Sequence, residues 1–433
     1  MITAQAFAGK QYAVYGLARS GLATVGALLA SGARVTAWDA KEEARMKAPA
    51  GTELANLDEA ELSQFDSLVV TPGLPLNRHP IAQRARDAGV EIIGDIELFS
   101  RARPELPPHK VVGITGTNGK STTTALVHHL LKTAGVPTTM GGNIGLPILS
   151  QDPLPEGGVY VLELSSYQID LTQSLDCDVA VLLNITPDHL DRYESFEAYA
   201  ASKMRLFEMQ SPGAHAPGHF AISYHLLAPE FFSARSRFID LEDYPGEHDF
   251  LREKSRAEWP ALKGPHNLEN AAAAIAVCSA LDISQSAVEL ALRTYPGLPH
   301  RMERIRDLNG VLFVNDSKAT NPTATAPALA AFERIRWVCG GQAKTDNLDE
   351  CAPYFGHVVA AYTIGEAADL FERLLSGRIC VKNCGKLADA IRAAAADSAP
   401  GDTVLLSPAC ASFDQFRDFE DRGDQFRDLV GKL

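Results

Sequence analysis

Apolar residues in this chain come in short runs that are separated by turn residues and by stretches of helical periodicity. Unbroken apolar runs of about four to eight residues are typical of strands buried on both faces of a parallel sheet. In the first hundred residues the pattern predicts strands at 11–15, 34–38 and 67–70 and a helix at 22–30. This alternation predicts a parallel sheet with ligands at the carboxyl ends of its strands.

The same alternation continues in two further segments. The first has predicted strands at 110–114, 159–163 and 179–184, helices at 198–208 and from 268 onwards, and an irregular stretch at 211–259. The second has strands at 311–315, 335–339, 358–364 and 403–407. Residues 101–109 carry three prolines among charges and are typical of a linker. We therefore predict an α/β protein of three domains: a Rossmann-like domain at 1–100, a P-loop ATPase-like domain at 101–298 and a second Rossmann-like domain at 299–433.

Composition narrows the class of protein. Of 433 residues, 46% are apolar and 22% charged, as in globular proteins. The formal charge of −14 argues against nucleic acid as a partner, but a small phosphate ligand needs only a local cradle. No apolar run approaches the roughly 20 residues of a membrane span, and the N-terminus lacks a secretory pattern. Seven cysteines without a CxxC pair favour reduced thiols. We expect a cytoplasmic monomer with no nucleic-acid or membrane partner.

The strongest chemical motif is the glycine-rich segment GTNGKS at 116–121, between a predicted strand and a predicted helix. In such a loop backbone N–H groups surround phosphate oxygens, Lys120 reaches the terminal phosphates and the Ser121 hydroxyl can hold Mg²⁺. The strict P-loop pattern needs glycine where Ile114 stands, so this is a shorter variant. A plain turn with Ser121 capping the helix is the alternative. The strand–turn–helix context favours a nucleoside triphosphate.

Two other strand ends of this segment carry acids. Glu163 ends one strand beside the phosphate loop, where a second Mg²⁺ ligand is needed, although an ordinary terminal carboxylate is equally compatible with the pattern. The strand at 179–184 leads to Asp188, His189 and Asp191. This cluster indicates polar or metal chemistry, or a helix capped by Asp188.

The first and third segments have weaker motifs. Residues 315–320, NDSKAT, follow a strand and could orient a nucleotide and a second substrate, or could form a turn with a local ion pair. The loop from Gly16 to Gly21, with Asp39 ending the next strand, is similar to a dinucleotide-binding loop. Ala18 replaces its middle glycine, which disfavours NAD and leaves a nucleotide diphosphate near Asp39 possible.

Eight ordered motifs together resemble the muramyl (Mur) ligase family of peptidoglycan synthesis. They are GTNGKS at 116–121, GGNIGLP at 141–147, LELSSYQ at 162–168, DHLDRY at 188–193, HNLEN at 266–270, GLPHR at 297–301, NDSKATN at 315–321 and SPACASFDQF at 407–416. Within that family, the loop of the first domain and the SPACAS stretch point to the member that adds glutamate.

The resemblance implies a UDP-binding, an ATPase and an amino-acid-binding domain. The implied activity is an ATP-dependent carboxylate–amine ligase of cell wall biogenesis, and hence of cell shape and division. It would join D-glutamate to UDP-N-acetylmuramoyl-L-alanine through an acyl phosphate, with ATP and two Mg²⁺ ions as cofactors.

The resemblance also assigns roles to individual residues. Those implied for the UDP-substrate are Leu17, Asp39, Thr71, Gly73, Asn143 and His189. Those implied for ATP are Gly116, Thr117, Asn118, Gly119, Lys120, Ser121, Thr122, Asn270, Arg301 and Asp316. Those implied for the amino acid are Lys318, Thr320, Lys344, Ser412 and Phe419. The metal ligands would be Ser121, Glu163, His189 and Lys203, and the catalytic residues Lys120, His189, Lys203 and Arg301.

Lys203 has its role from the resemblance alone, since its own sequence reads as a solvated helix lysine. The family has at this position a lysine carbamylated by CO₂, and a carbamate offers two anionic oxygens to a hard cation where an ammonium would repel it.

Two alternatives are compatible with a phosphate loop. A folate-type polyglutamate ligase shares the central ATPase logic without needing the domain at 1–100. A nucleotide-regulated binding protein would use the loop as a switch.

Overall fold

The computed structural model describes residues 1–186, 188, 192–211, 220–223, 237–240, 258–259, 261–262 and 265–433, with only the backbone described at 220–223, 237–240, 265 and 266. The chain forms two compact units, Met1–Tyr295 and Pro296–Leu433. Three sheets lie within them, two in the first unit and one in the second. The predicted α/β class is therefore confirmed.

The first sheet has five parallel strands in the order β3-β2-β1-β4-β5. Its strands are β1 (Gln11–Tyr15), β2 (Arg34–Trp38), β3 (Glu53–Leu54), β4 (Ser67–Val70) and β5 (Glu91–Ile93). Its helices are α1 (Arg19–Ala30), α2 (Glu42–Arg45), α3 (Pro80–Asp87) and α4 (Asp95–Ala102). The chain reverses direction across the sheet between β1 and β4, so their loops open the crevice in which such sheets bind ligands.

The second sheet has six parallel strands in the order β11-β10-β9-β6-β8-β7. Its strands are β6 (His109–Thr115), β7 (Thr138–Gly142), β8 (Gly158–Glu163), β9 (Val179–Leu182), β10 (Phe220–Ser223) and β11 (Arg237–Asp240). Its helices are α5 (Lys120–Thr133), α6 (Ser166–Asp170), α7 (Phe196–Glu208), α8 (Pro265–Ala280) and α9 (Gln285–Thr294). The reversal falls at β6 and β9, which places the loop after β6 in the crevice.

The sheet of the second unit has six strands in the order β12-β13-β17-β14-β15-β16, with only β12 antiparallel. Its strands are β12 (Glu303–Leu308), β13 (Val311–Asn315), β14 (Ile335–Gly340), β15 (Val358–Ile364), β16 (Cys380–Gly385) and β17 (Thr403–Leu406). Its helices are α10 (Pro322–Ala330), α11 (Ala368–Leu375), α12 (Leu387–Asp397) and α13 (Phe419–Gly431). Separate apolar clusters cover the two faces, one around Trp337 and one around Phe313.

The two sheets of the first unit share one hydrophobic core. A single cluster of buried side chains includes Tyr12 and Val14 of β1 together with Tyr160 and Leu162 of β8. Burial of such side chains, at about 25 cal/mol per Å² of apolar surface, joins the two sheets energetically. The domain boundary predicted near residue 100 thus lies inside a continuous core, and the exact domain limits stay a prediction.

The prediction of a linker at 101–109 is wrong, because this segment has ordered secondary structure. Helix α4 continues to Ala102, a 3₁₀ turn follows at Arg103–Glu105, and strand β6 already begins at His109. The Arg103 guanidinium reaches the Asp178 carboxylate at 3.6 Å, which ties this segment to the start of β9. The proline-containing segment is therefore an ordered junction between α4 and β6. The sequence suggests a linker because the distant partner of Arg103 is not visible in the local pattern.

Candidate functional site

The loop between β6 and α5 forms a cradle of main-chain groups. Gly119 is the N-cap of α5, with φ +84° and no side-chain cap, so Ser121 does not cap this helix as the alternative required. A Cβ on Gly119 would lie 2.3 Å from Oδ1 of Asn270, so glycine is needed for close approach as well as for backbone conformation. The uncapped first turn and its helix dipole favour an anion.

Asn184 holds the other side of this loop. Its side-chain oxygen accepts from the Asn118 N–H at 2.8 Å, and its amide donates to the Asn118 carbonyl at 3.1 Å. The Thr117 N–H donates to the Asn184 carbonyl at 2.9 Å. Asn184 is not among the site residues predicted from the sequence. Its place directly after a buried strand, beside the phosphate loop, was the available signal.

Two lysines converge on one carbonyl of the loop. Lys120 Nζ donates to the carbonyls of Gly116 and Thr117, each at 2.8 Å. Lys203 Nζ, from α7, donates to the same Gly116 carbonyl at 3.0 Å and lies 4.7 Å from the centre of the Tyr199 ring. Lys203 is only 1% exposed. Burial, and then the positive charge of Lys120, lower the pKa of Lys203 to about 7.

Glu163, at the end of β8, has one engaged and one free oxygen. Oε1 accepts from Nδ2 of Asn143 at 2.9 Å. Oε2 is buried and has no hydrogen-bond partner among the described residues. A buried carboxylate oxygen without a partner is costly unless a ligand fills the gap. Its hard, anionic character fits Mg²⁺, so the residues present are compatible with the implied metal.

The acidic cluster after β9 is only partly described. His189 and Asp191, like Leu190 and Pro187, lie outside the described residues, so the roles implied for His189 stay predictions. Asp188 is described and exposed. It does not cap α7, because that helix begins after Ser195, whose side chain accepts from the Ala198 N–H. Asp188 is therefore not the cap of α7, and residues 189–191, which follow it, lie outside the described part of the chain.

The first sheet brings together four of the six residues implied for the UDP-substrate, whereas Asn143 lies beside Glu163 of the second sheet. The Asp39 carboxylate accepts from the Leu17 N–H at 2.7 Å and from the Lys41 N–H at 2.9 Å, which fixes the loops after β1 and β2 to one another. A Cβ on Gly16 would lie 2.3 Å from Oγ1 of Thr71. Leu17, Asp39 and Thr71 therefore share one rim of the crevice, and Gly73 follows in the Thr71 turn.

In the second unit, Asp316 follows β13 and is 6% exposed. One oxygen accepts from Oγ of Ser407 at 2.8 Å and the other from the Met302 N–H at 3.2 Å. Burial raises the pKa of Asp316 more than these two hydrogen bonds lower it, so the pKa is about 7. The neighbouring His300 is buried in a left-handed conformation with φ +62° and accepts a bond across 3.0 Å from Nδ2 of Asn315 when its Nδ1 is unprotonated.

The residues implied for the amino acid fall into two contacts of the second unit. Lys318 Nζ lies 3.8 Å from the centre of the Phe419 ring, a cation–π contact. Lys344 Nζ donates to Oγ1 of Thr320 at 3.5 Å. Ser412 is 2% exposed. It directly follows Ala411, which pairs with Gln342 in a two-bond bridge and so joins the SPACAS loop to the loop of Lys344.

Arg422 is a residue of this region that our sequence analysis missed. It lies within the acidic helix α13 and is fully buried, although a local reading makes it a solvated helix residue. Its guanidinium donates to Oγ and O of Ser317, each at 2.9 Å, and to the carbonyls of Cys410 and Ala411 at 3.1 and 3.3 Å. It therefore holds the NDSKAT and SPACAS loops together, and burial lowers its pKa to about 10.

Two features are absent from the part of the chain that the structure describes. No group of three or more His, Cys, Asp or Glu side chains is arranged to hold a metal ion. No helix there combines the length and apolar character needed to cross a membrane.

The crevice loops, the phosphate loop and the buried acid beside it define a multidomain α/β protein of the phosphate-loop nucleotide-binding class. Comparison with known sequences makes this specific. Residues 10–94 match the Mur ligase MurD-like N-terminal domain, 114–222 the Mur ligase middle domain and 300–410 the Mur ligase glutamate ligase domain.

Relatives agree along the whole length. A UDP-N-acetylmuramoylalanine–D-glutamate ligase from Novosphingobium aromaticivorans is 59% identical over 100% of this chain and 97% of its own. One from Sphingopyxis alaskensis is 56% identical over 100% of both chains. The crystal structure of a UDP-N-acetylmuramate–alanine ligase from Thermotoga maritima has a TM-score of 0.57 at 16% identity, covering 98% of this chain and 99% of that one. The chain belongs to the Mur ligase family.

Membership decides between the alternatives of the sequence analysis. The family is confirmed by three domain matches and by full-length identity, which neither a folate-type ligase nor a nucleotide-regulated binding protein would give. The likeness to the T. maritima structure, at low identity, supports the fold alone.

Proposed function

We propose that this chain is an ATP-dependent ligase that adds D-glutamate to UDP-N-acetylmuramoyl-L-alanine. The observation that carries the proposal is full-length identity of 59% with a relative that bears this activity in its name. The phosphate loop, with its uncapped helix N-terminus and Lys120 at its mouth, supports ATP as the energy source.

The proposed reaction has two steps. The carboxylate of the UDP-substrate attacks the γ-phosphorus of ATP, the bond to ADP breaks, and an acyl phosphate forms. The neutral amine of D-glutamate then attacks the acyl carbon, a C–N bond forms, phosphate leaves and the amine loses its proton to solvent. Little covalent chemistry falls to the protein, so its residues act by positioning and by stabilising charge.

Lys120 is the proposed charge-stabilising residue of the first step. Its ammonium is held over the loop by the Gly116 and Thr117 carbonyls, and a phosphate oxygen can replace either acceptor. The N–H groups at the start of α5 would hold the same phosphates. Mg²⁺, when bound, would neutralise phosphate charge, and Ser121, Glu163 and His189 would be its ligands. The unpartnered Glu163 Oε2 supports this assignment.

Lys203 is proposed to be carbamylated by CO₂ and to hold the second cation. An unprotonated amine is the form that attacks CO₂, and a pKa lowered to about 7 supplies that form at neutral pH. The carbamate would replace a cation beside Lys120 with an anion, which removes the repulsion between the two side chains.

Recognition of D-glutamate is proposed for Lys318, Thr320, Lys344, Ser412 and Phe419. Two ammonium groups and two hydroxyls suit two carboxylates, since charge-assisted bonds are the strongest available. Removing one partner of such a pair in a closed site typically costs about 2–5 kcal/mol, against about 1–3 kcal/mol for one methylene. D-Glutamine should therefore be a poor acceptor. L-Glutamate should fail because its amine would point away from the acyl phosphate. Arg301, Asp316 and Asn270 keep the ATP-binding roles that the family resemblance implies.

The test is the mass of the product. The purified chain is incubated with ATP, Mg²⁺, a panel of UDP-sugars and a panel of acceptors: D-glutamate, L-glutamate, D-glutamine and L-alanine. We expect phosphate release and one new product only with UDP-N-acetylmuramoyl-L-alanine and D-glutamate together. Lys120→Ala is the matched control and should lose about 10²–10³ in turnover while staying folded. A preference for L-alanine or L-glutamate would change the acceptor assignment, and turnover without any UDP-sugar would refute the proposal.

A further inference from the structure

Arg192 joins the second sheet of the first unit to a loop of the first sheet. Its Nη2 donates to the Leu74 carbonyl at 2.9 Å and to the Pro72 carbonyl at 3.5 Å, and Nη1 donates to the Gly73 carbonyl at 3.5 Å. The guanidinium carbon Cζ lies 4.2 Å from the centre of the Tyr167 ring, on helix α6. One side chain thus donates hydrogen bonds to three consecutive carbonyls of the turn after β4.

The geometry of the peptide gives this contact a consequence. In a trans peptide the C=O and N–H groups point in opposite directions. Because the Pro72 carbonyl faces Arg192, the Gly73 N–H of the same peptide faces away from it. The turn is closed by the Leu74 N–H, which donates to the Thr71 carbonyl at 3.0 Å. Pro72 and Pro75 have no N–H, and the Leu74 N–H is used to close the turn, so the Gly73 N–H is the one donor that the turn can offer. Arg192 therefore sets the direction of the Gly73 N–H, beside the crevice rim that Thr71 shares with Gly16.

A second arginine makes the reciprocal connection. Arg19, at the start of α1, donates through Nη2 to the Gly145 carbonyl at 3.0 Å, in the segment that follows β7. Each of the two crevice loops of the first sheet is thus bonded to the second sheet through an arginine and main-chain carbonyls. A substrate with its nucleotide at the first sheet and its reacting end at the phosphate loop needs these loops held in register.

We propose that Arg192 is a positioning residue for the diphosphate of the UDP-substrate. It acts through the turn at 72–74, whose Gly73 N–H donates to the diphosphate. Its Nη1 and Nη2 donors point to the turn carbonyls and its Cζ lies over the Tyr167 ring, so it does not act as a phosphate ligand. A guanidinium is needed, because its planar fork reaches several acceptors at once, whereas an ammonium on a flexible stem presents a single point charge. The inference rests on the proposed function for the identity of the ligand.

The test uses Arg192→Ala and Arg192→Lys in the full chain, with UDP and the ATP analogue AMP-PNP as separate calorimetric probes. We expect both variants to bind UDP about 10-fold more weakly or worse. A factor of about 10 is the lower end of the effect of losing one charge-assisted hydrogen bond. The KM of the UDP-substrate should rise in the same proportion, while AMP-PNP affinity and the KM of D-glutamate stay within about 2-fold. Arg205→Ala is the control, since Arg205 lies on α7 and its guanidinium bonds Asp170 and the Thr172 carbonyl instead of the turn.

Each outcome decides the point. Wild-type UDP affinity in Arg192→Ala overturns the inference. An equal loss of AMP-PNP affinity, or a fall in melting temperature that accounts for the loss, also overturns it, because the residue would then be merely structural. Recovery of UDP affinity in Arg192→Lys would show that charge alone suffices and refute the role of the fork. Absence of ligase product from the wild-type chain would refute the proposed function instead, and UDP affinity would still test Arg192.

Discussion

The Lys203 amine is reactive only when it is unprotonated, and its surroundings decide at which pH that happens. An ordinary lysine with pKa 10.5 is about one part in three thousand neutral at pH 7, whereas a pKa of about 7 makes about half of Lys203 neutral. Burial beside a second ammonium is thus a chemical activation and not only a cost to folding.

We predict that carbamylation of Lys203 and ligase activity fall together as the pH drops below about 7, because the amine is then protonated. With ¹³C-labelled bicarbonate, a carbamate carbon resonance should be seen in the wild-type chain and should weaken with acid. Lys203→Arg should lack it and lose activity, because a guanidinium cannot form the carbamate. Lys132→Arg, at an exposed lysine of α5, is the control and should keep both. A labelled wild-type protein without the resonance would contradict the assignment.

Asp316 is a buried acid whose pKa is raised by burial, whereas burial lowers the pKa of the basic Lys203. Its folded pKa of about 7 lies above the ordinary value of 3.8, so the folded state keeps a proton that the unfolded chain has released. The associated stability is full below about pH 4 and is lost as the pH rises through about 7.

We therefore predict that Asp316→Asn stabilises the second unit at about pH 8 by a few kcal/mol, at about 1.4 kcal/mol per unit of pKa displacement, and has little effect at about pH 4. The amide can accept from Met302 N–H and donate to Ser407 Oγ, which donates in turn to Thr325. Denaturant unfolding followed by Trp337 fluorescence, with the other two tryptophans replaced by Phe, measures this. Asp389→Asn, in an exposed pair, should change little. A less stable Asp316→Asn protein at the higher pH would refute the argument.

At the level of elements, helix α4 is the joint between the first two sheets. Its Glu97 is 1% exposed and accepts from the N–H groups of Gln173 and Ser174 at 2.7 and 2.9 Å. The same carboxylate accepts from Arg101 Nε at 2.8 Å, and Arg101 makes a paired contact with Glu91 in β5. Glu97 thus fixes the helix to the α6–β9 connection, and it also holds Arg101, which fixes the helix to β5 of the first sheet.

We predict that Glu97→Ala lowers the free energy of unfolding of the first unit by at least about 1.5–3 kcal/mol, the range for hydrogen bonds to a charged group. Glu97→Gln should lose less, since it keeps the shape and one acceptor. Asp87→Ala is the control, because that exposed carboxylate bonds only locally, to Gln83. Urea unfolding of residues 1–295 measures the difference, and equal stabilities of the Glu97 and Asp87 variants would contradict the role of α4.

Strands were the elements most accurately predicted from the sequence. β1, β2, β4, β13 and β15 have the predicted bounds, because a strand buried on both faces must be an unbroken apolar run and turn residues end it. The loops at their carboxyl ends were predictable for the same reason, since the parallel topology gathers them at one edge.

What the sequence could not indicate depends on contacts between distant residues. Arg422 reads as a surface residue of an acidic helix, and only its burial against Ser317 and Ala411 reveals its role. The segment at 101–109 resembles a linker until Arg103 meets Asp178. The sequence allows Asp188 to cap the helix that follows at 196–208, but the structure gives that place to Ser195. Local patterns carry no information on such partners.

At the scale of the whole molecule, the hydrophobic clusters determine which parts can fold alone. The second unit has its own sheet with a cluster on each face. The cluster that includes Tyr12 and Tyr160 instead runs through both sheets of the first unit.

We predict that residues 296–433 and residues 1–295 each fold cooperatively as separate fragments, whereas residues 1–100 alone do not. The fragment 1–100 would expose its half of the shared core to water. The net stability of a small domain is too low to offset the loss of that buried surface. Near-UV circular dichroism and thermal melting of the three fragments measure this. A sharp melting transition for residues 1–100 would mean that the shared cluster contributes little.

The packing of Gly16 against its neighbours bears on antibiotic resistance. A Cβ on Gly16 would lie 2.3 Å from Thr71 Oγ1, and one on Gly21 would lie 1.9 Å from the Gly16 carbonyl. An inhibitor that hydrogen-bonds the main chain of this loop meets groups that no substitution other than proline removes. Side-chain changes at Gly16 or Gly21 that would displace it must first disrupt the loop itself. Escape mutants selected against such a compound should therefore map outside residues 16–21, in expression or efflux functions or on the far wall of the crevice.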